Sequence, residues 1–185
     1  MRKIILTVAA VFALTFANAQ DKKASKGSDS DMKFGVKAGY INSNFTGDAS
    51  GTAIGGFYIG GLVDFSVSEK FHVQPELLYS MEGQKDAKVN YLRIPIMAKY
   101  YVAEGLSLQA GPELAIKAGA DSSVKDFVKP IDFALGFGAG YELPNGLMFD
   151  ARYNLGLTNI ADGAAKDAGF NYKNTSFSLG LGYRF

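Results

Sequence analysis

Eight segments between Phe34 and Phe185 alternate apolar residues with polar or charged ones at a period of two. This period is typical of β-strands that present two different faces to their surroundings. In one segment the first face carries Phe71, Val73 and Leu77, and in none of the eight does this face carry a charge. A chain with this pattern must place its strands between an apolar and a polar environment.

The opposite face carries most of the charge of these segments, interspersed with glycines. Its charged residues are Lys37, Asp64, Glu76, Arg93, Lys99, Glu113, Lys117, Asp132, Asp150, Arg152 and Arg184. A soluble antiparallel sandwich also alternates, but it turns the apolar face inward and the charges outward. The period alone therefore leaves both architectures open.

The connections between the segments favour a membrane architecture. Short turns at 67–70, 103–105 and 144–146 alternate with longer polar loops at 42–53, 82–90, 118–130 and 158–174. This is the layout of a small outer-membrane barrel, and only closure satisfies every backbone group in lipid. We predict an all-β fold, an eight-stranded antiparallel transmembrane β-barrel with an up-and-down meander. Pro75, Pro95 and Pro112 fall inside strands, and we interpret them as bulges or bends.

The N-terminus has the pattern of an export signal. Arg2 and Lys3 precede an apolar run at 4–17, and the small-residue triplet Ala17-Asn18-Ala19 follows. A run of about 14 residues is too short to cross a bilayer as a helix. We predict a cleaved signal peptide at 1–19, a flexible periplasmic lead-in at 20–32 and a barrel domain at 33–185.

Composition argues against several function classes. The 19 basic and 18 acidic residues nearly cancel, so we expect no nucleic-acid partner, and there is no cysteine. His72 is the only histidine, which excludes a histidine metal site. A serine nucleophile such as Ser107 or Ser178 would have to use it, and nothing in the spacing selects either. We therefore expect no enzyme activity, cofactor or metal, and a solvated His72 near one barrel mouth.

Four short motifs identify a family resemblance. They are Gln74-Pro75-Glu76-Leu77-Leu78-Tyr79-Ser80, Tyr91-Leu92-Arg93-Ile94-Pro95-Ile96, Gly111-Pro112-Glu113 and Leu181-Gly182-Tyr183-Arg184-Phe185. Over about residues 33–185 the chain resembles the PorT-like outer-membrane β-barrel domain family, small barrels of the OmpX/OmpA type. The resemblance implies the outer membrane of a Gram-negative bacterium, and some relatives are linked to secretion and gliding machinery. It also implies that Phe185, with Tyr183, is the signal that the barrel-assembly machinery reads.

The inward charges suggest a closed interior, because eight strands enclose just enough room for side chains. The predicted interior cluster comprises Glu76, Arg93, Glu113, Lys99, Lys117, Asp132, Asp150 and Arg152, with Glu76, Arg93 and Glu113 in contact near mid-barrel. Gly136, Gly138 and Gly140 would leave room for Arg152. Lys37 and Asp64 could instead lie unpaired at the water-filled mouths.

Aromatic residues near strand ends predict two interfacial girdles. They are Phe71, Tyr91, Tyr100, Tyr101, Tyr141, Phe149, Tyr183 and Phe185.

We therefore expect a monomeric, non-enzymatic outer-membrane barrel in contact with lipid, a structural or interaction scaffold whose long loops bind an envelope or extracellular partner. One alternative is a narrow porin-like channel for ions or small solutes. The other is a secreted, lipocalin-like soluble carrier whose apolar face points inward.

Overall fold

The computed structural model describes residues 32–47, 54–84, 87–120, 129–159, 167–169 and 172–185. They contain eight β-strands, which belong to one compact unit, Asp31–Phe185. The strands are β1 (Met32–Gly47), β2 (Ile54–Ser66), β3 (Phe71–Gln84), β4 (Ala87–Ala103), β5 (Leu106–Ala120), β6 (Ile131–Glu142), β7 (Leu147–Gly156) and β8 (Tyr172–Arg184).

Each strand pairs antiparallel with the next along the chain, and β1 also pairs with β8. The sheet is therefore a closed barrel in the order β1 to β8, which confirms the predicted eight-stranded meander. Both described ends of the chain meet at the closing seam, where the Phe185 amide donates to the Phe34 carbonyl at 2.9 Å. Three turns, between Ser66 and Phe71, Ala103 and Leu106, and Glu142 and Leu147, lie at this same end, called here the turn end. The opposite end is the loop end.

The register sets the width of the barrel. Following paired residues once around the sheet returns to β1 about ten residues from the start, a stagger that tilts eight strands by roughly 40°. An eight-stranded barrel of this kind has an interior that side chains can fill. The interior of this barrel must therefore be packed by whatever residues point into it.

The two faces hold opposite chemistry. Large apolar side chains on the outside are exposed, such as Ile59 at 64%, Leu179 at 50% and Phe133 at 51%. Glu76, Arg93 and Lys99 on the inside are at most 4% exposed. The lipocalin-like alternative required the apolar face to point inward, so it is wrong.

Several strands are longer than the sequence pattern predicted. β1 continues to Gly47, β3 to Gln84 and β5 to Ala120, and Gln84 pairs with Ala87. Only residues 85 and 86 therefore separate β3 from β4, and the predicted loop at 82–90 is wrong. Toward the loop end these strands no longer alternate apolar and polar residues. The hydrogen-bonded ladder nevertheless continues, because hydrogen bonds between strands do not need an apolar face.

The strand prolines are not bulges. The β3–β4 pairs stop at Pro75 and resume at Leu78 in the same register, and the β4–β5 pairs do the same between Pro95 and Ala98. Since no residue is inserted, the interpretation as bulges is wrong, and the β3–β4 and β4–β5 ladders lose pairs beside the prolines. The alternative interpretation as bends stays a prediction. The β4–β5 register shifts lie elsewhere, at Asn90/Tyr91 and Tyr101/Ala103.

Two of the predicted girdle aromatics point inward. Tyr91 is 1% exposed, and Tyr101 donates its hydroxyl to Glu142 at 3.0 Å. Both lie an even number of residues from Arg93 and Lys99 on β4, so their side chains point to the same, inner face of the barrel. Tyr100, Tyr141, Phe149, Tyr183 and Phe185 are exposed on the outer face, between 43% and 66%.

The predicted signal peptide and almost all of the lead-in lie outside the described residues. In the part of the chain that is described, no helix is long and apolar enough to cross a membrane.

If the outer face contacts lipid, a charged residue on it should destabilise the barrel more near the membrane centre than near its edge. We expect Leu179→Arg, in the middle of the apolar band on β8, to lower the free energy of unfolding by about 2–4 kcal/mol in phospholipid vesicles. Val102→Arg is the matched control, since Val102 is equally exposed at 49% but lies next to a turn, and its cost should be about 0–1 kcal/mol. Urea titration in vesicles measures both, and equal costs would contradict burial of this face in lipid.

Candidate functional site

Three groups of ionisable side chains fill the barrel interior. The lower cluster, at the turn end, contains Asp64, His72, Lys99, Glu142 and Arg184. The central cluster contains Lys37, Glu76, Asp150 and Arg152. The upper cluster, toward the loop end, contains Glu82, Arg93 and Glu113.

The central cluster spans the bore. Arg152 on β7 reaches Glu76 on β3, which lies across the barrel, and donates two hydrogen bonds to its carboxylate at 2.8 and 2.6 Å. Its Nε also donates to Gln109 Oε1 at 3.0 Å. A bidentate guanidinium–carboxylate pair has fixed geometry, so Arg152 and Glu76 form a rigid link across the interior. This link is called here the Arg152–Glu76 bar.

A second pair completes the central cluster. Lys37 Nζ lies 2.7 Å from Asp150 Oδ2 and 3.7 Å from Glu76 Oε2. Glycines provide the space for both pairs. A Cβ on Gly138 would lie 2.8 Å from Arg152 Cγ, and one on Gly180 would lie 2.7 Å from both Asp150 Oδ2 and Lys37 Cε. The predicted use of Gly138 to make room for Arg152 agrees with this contact, whereas a Cβ on Gly136 or Gly140 would meet Asn154 or Gln109 instead.

The lower cluster is organised around Asp64. Its carboxylate lies 2.5 Å from His72 Nδ1, 3.1 Å from Lys99 Nζ and 3.4 Å from Arg184 Nη1. Arg184 also pairs with Glu142, and Lys99 lies 3.9 Å from the same carboxylate. Two carboxylates therefore face two basic side chains, Lys99 and Arg184, with His72 as a fifth member.

Gln74 joins the lower and central clusters. It accepts a hydrogen bond from Lys99 at 3.0 Å and donates one to Glu76 at 2.6 Å. A cavity of about 10 Å³ lies between the clusters, lined by Lys37, Gln74 and Arg152 among others. This volume admits about one water molecule.

The upper cluster is built on Arg93. Its Nε and Nη2 donate to the two oxygens of Glu82, and Nη1 donates to Glu113. Ser80 also donates a hydrogen bond to Glu82. Asn174, which lies on β8 on the other side of the bore, donates to Glu82 at 3.4 Å. Asp132, 2% exposed, accepts a hydrogen bond from Thr158 near the same end.

The structure brings together only part of the predicted Glu76–Arg93–Glu113 contact. Arg93 pairs with Glu113, but Glu76 belongs to the central cluster with Arg152 and Lys37. The reason is register, since Arg93 lies opposite Leu78, and Glu76 lies two residues nearer the turn end. Lys117 is half-buried, is paired in register with Tyr91, and makes an interaction of its own.

Two members of the clusters were missed from sequence. Glu82 falls in the loop that the sequence pattern predicts at 82–90, and the pattern places Glu142 on no face, yet both side chains point inward with every second residue of their strands. Extending the alternation past Met81 would have found Glu82, and Glu142 already lies within the alternation, between Tyr141 and Leu143. The expectation that Lys37 and Asp64 lie unpaired at the mouths is wrong, because both are at most 3% exposed and ion-paired.

His72 does not have the geometry of a catalytic triad. Asp64 Oδ1 and Ser66 Oγ both approach the same ring nitrogen, Nδ1, at 2.5 and 3.4 Å. A triad needs the carboxylate and the serine on different nitrogens. Ser107 instead donates to the Gly140 carbonyl at 3.4 Å. His72 lines a cavity at the turn end, as expected for a residue near one mouth, but only 9% of it is exposed, so it is less solvated than expected.

The C-terminal residues lie on the outer surface at the turn end. The Phe185 ring is 66% exposed and packs edge-on against Tyr183, with 5.6 Å between centroids. Among the described residues, no group of three or more His, Cys, Asp or Glu side chains could hold a metal ion.

The central pair predicts a non-additive stability pattern. Arg152→Met leaves Glu76 buried without its bidentate partner, so we expect a loss of about 3–5 kcal/mol in the free energy of unfolding. The double variant Arg152→Met/Glu76→Leu removes both charges and should recover most of that loss. Denaturant titration of the wild type, both single variants and the double variant checks this, and simple additivity would contradict a coupled pair.

Comparison with solved structures supports the fold. Neisserial surface protein A is 15% identical, with a TM-score of 0.58, over 82% of this chain and 97% of that chain. Ail, the attachment invasion locus protein of Yersinia pestis, is 16% identical, with a TM-score of 0.51, over 83% and 98%. At this identity the likeness concerns the fold alone. No curated protein matches the sequence.

The family comparison goes further, because the model described as "Outer membrane protein beta-barrel domain" matches residues 18–162. That match includes strands β1 to β7 and most of the inward charges. A closed barrel with an apolar exterior and a charged interior is also what such a protein requires in lipid. The chain therefore belongs to the outer membrane protein β-barrel domain family and is a protein of the Gram-negative outer membrane.

Proposed function

We propose that this protein is a closed outer-membrane scaffold that acts through its loop end rather than through its bore. The observation that carries this proposal is the Arg152–Glu76 bar, which crosses the interior where the barrel is just wide enough for side chains. The Lys37–Asp150 pair lies beside it, so all four charges of the central cluster are compensated.

The remaining parts of the proposal follow from the outer-membrane location. The short turns and Phe185 face the periplasm, and the loop end faces outward, where an envelope or extracellular protein partner binds the connecting loops. The chain is a monomer without enzymatic activity, cofactor or nucleic-acid partner. Its motifs resemble PorT-like barrels, and Phe185 with Tyr183 serves as the signal for the barrel-assembly machinery.

Conductance in a planar bilayer tests the closed bore. We expect the refolded wild-type protein to show no discrete current steps, and Arg152→Ala to show them, because removing the bar opens a continuous polar path. Discrete steps in the wild type would overturn the scaffold proposal in favour of a narrow channel.

Two controls separate the bar from general effects of charge removal. Lys70→Ala removes an exposed cation from a turn outside the interior and should stay silent. Arg93→Ala removes a buried guanidinium that is paired with Glu82 and Glu113 on the neighbouring strands β3 and β5, so it should leak less than Arg152→Ala. Equal leakage from Arg93→Ala and Arg152→Ala would mean that no single bar closes the bore.

A further inference from the structure

An open groove lies on the outer face of the barrel, beside the β1–β8 seam and toward the turn end. Its volume is about 250 Å³, and its lining is almost entirely apolar. Six residues with outward-pointing side chains line it, namely Val36, Ala38, Ile59, Leu147, Leu181 and Tyr183. Lys37 and Gly182 border it as well, but the Lys37 side chain points inward to Asp150, so the lining side chains carry no charge.

The groove forms because one small residue lies between larger ones. Ala38 on β1 is paired in register with Ile59 on β2 and with Leu181 on β8. Its methyl group forms the floor, and Ile59 and Leu181, which are 64% and 51% exposed, form a wall on either side. Side chains of unequal size on three neighbouring strands therefore leave a narrow channel along β1.

Aromatic pairs lie at both ends of this groove. Tyr40 and Phe57 are the next outward pair toward the loop end, and they pack edge to face with 5.9 Å between ring centroids. Toward the turn end, the ring of Tyr183 packs against that of Phe185. The groove is therefore bounded along the strands as well as across them.

The surroundings of the groove limit what can occupy it. The chain is an outer-membrane barrel, so its apolar outer face lies in lipid rather than in water. An extended peptide is a poor occupant, because its N–H and C=O groups would find no partner in an apolar lining. A second barrel is also a poor occupant, since a stable interface takes about 20–30 residues a side and the groove offers six side chains.

We propose that the groove binds one acyl chain of a phospholipid from the periplasmic leaflet. A flexible aliphatic chain needs no hydrogen-bond partner, and in this channel it contacts Ala38 below it and Ile59 and Leu181 at its sides. Lipid tails are as apolar as these side chains, so the preference over bulk lipid comes from the additional van der Waals contacts. The choice of leaflet rests on the proposed function, which places the turn end on the periplasmic side, where the outer membrane carries phospholipid.

Native mass spectrometry of the refolded protein in detergent tests this site. The protein is titrated with phosphatidylethanolamine, and we expect each wild-type barrel to retain one lipid molecule. Ala38→Phe fills the floor of the groove and should raise the apparent dissociation constant about tenfold, the effect of losing about ten atom–atom contacts. Ala139→Phe makes the same change at an exposed alanine on β6, outside the groove, and should bind as the wild type does. Equal affinity in the wild type and Ala38→Phe, or an equal loss in both variants, would overturn the proposal.

A tryptophan reporter locates the bound chain. The sequence contains no tryptophan, so Tyr183→Trp introduces a single reporter in the groove, and Tyr141→Trp introduces one on β6 near the same end. The two tyrosines are similarly exposed, at 43% and 47%. With phosphatidylethanolamine brominated on its acyl chains, we expect Tyr183→Trp to be half-quenched at about one tenth of the lipid concentration that Tyr141→Trp requires. Adding Ala38→Phe should remove this difference, and half-quenching of both reporters at one concentration would contradict a site in the groove.

Two further outcomes would overturn the proposal. If the wild type forms dimers that Ala38→Phe abolishes, the groove binds a second copy of the chain. If lipopolysaccharide binds in the groove more tightly than phosphatidylethanolamine, the choice of leaflet is wrong. None of these measurements depends on conductance, so a closed bore without retained lipid overturns the groove alone, and a conducting bore with retained lipid overturns the scaffold alone.

Discussion

The pairing of β1 with β8 is the interaction on which the rest of the structure depends. It removes the two free edges that an eight-stranded meander would otherwise present, and in lipid an unpaired edge costs several kcal/mol per backbone group. Closure also fixes the stagger and therefore the width of the interior. Once the width is set, the outward side chains must be apolar and the inward ones must fill a narrow polar core.

Filling that core with charge requires local compensation. Isolated buried ions are unfavourable, so each carboxylate must find a cation within reach of its strand. The interior meets this requirement differently at different heights. Around Asp64 several cations share one carboxylate, whereas Arg152 and Glu76 form a single bidentate pair across the bore. Glycines such as Gly138 and Gly180 are part of this arrangement, because a side chain there would occupy the space of the charged arms.

This distribution gives the two halves of the barrel different properties. The turn-end half is joined through Gln74 into one continuous network that crosses the bore. In the loop-end half, Glu82 receives a longer bond of 3.4 Å across the bore, from Asn174. Among the described residues, the shorter hydrogen bonds across the bore therefore lie toward the proposed periplasmic side.

The sequence by itself determined the fold class, the strand count and the face to which each residue points, because a period of two with no charge on one face, together with alternating short turns and long loops, allows few arrangements. It also placed Arg93 near Glu113, since both strands flank one tight turn and their pairing is local. Only the tertiary structure decided that Glu76 contacts Arg152, because these residues lie four strands apart and meet only when the barrel closes. It also decided that Glu82 is buried inside β3, since the ladder extends beyond the last apolar residue. Contacts across the bore depend on the stagger of the strands and on the width of the barrel, and neither quantity can be predicted from a local sequence pattern.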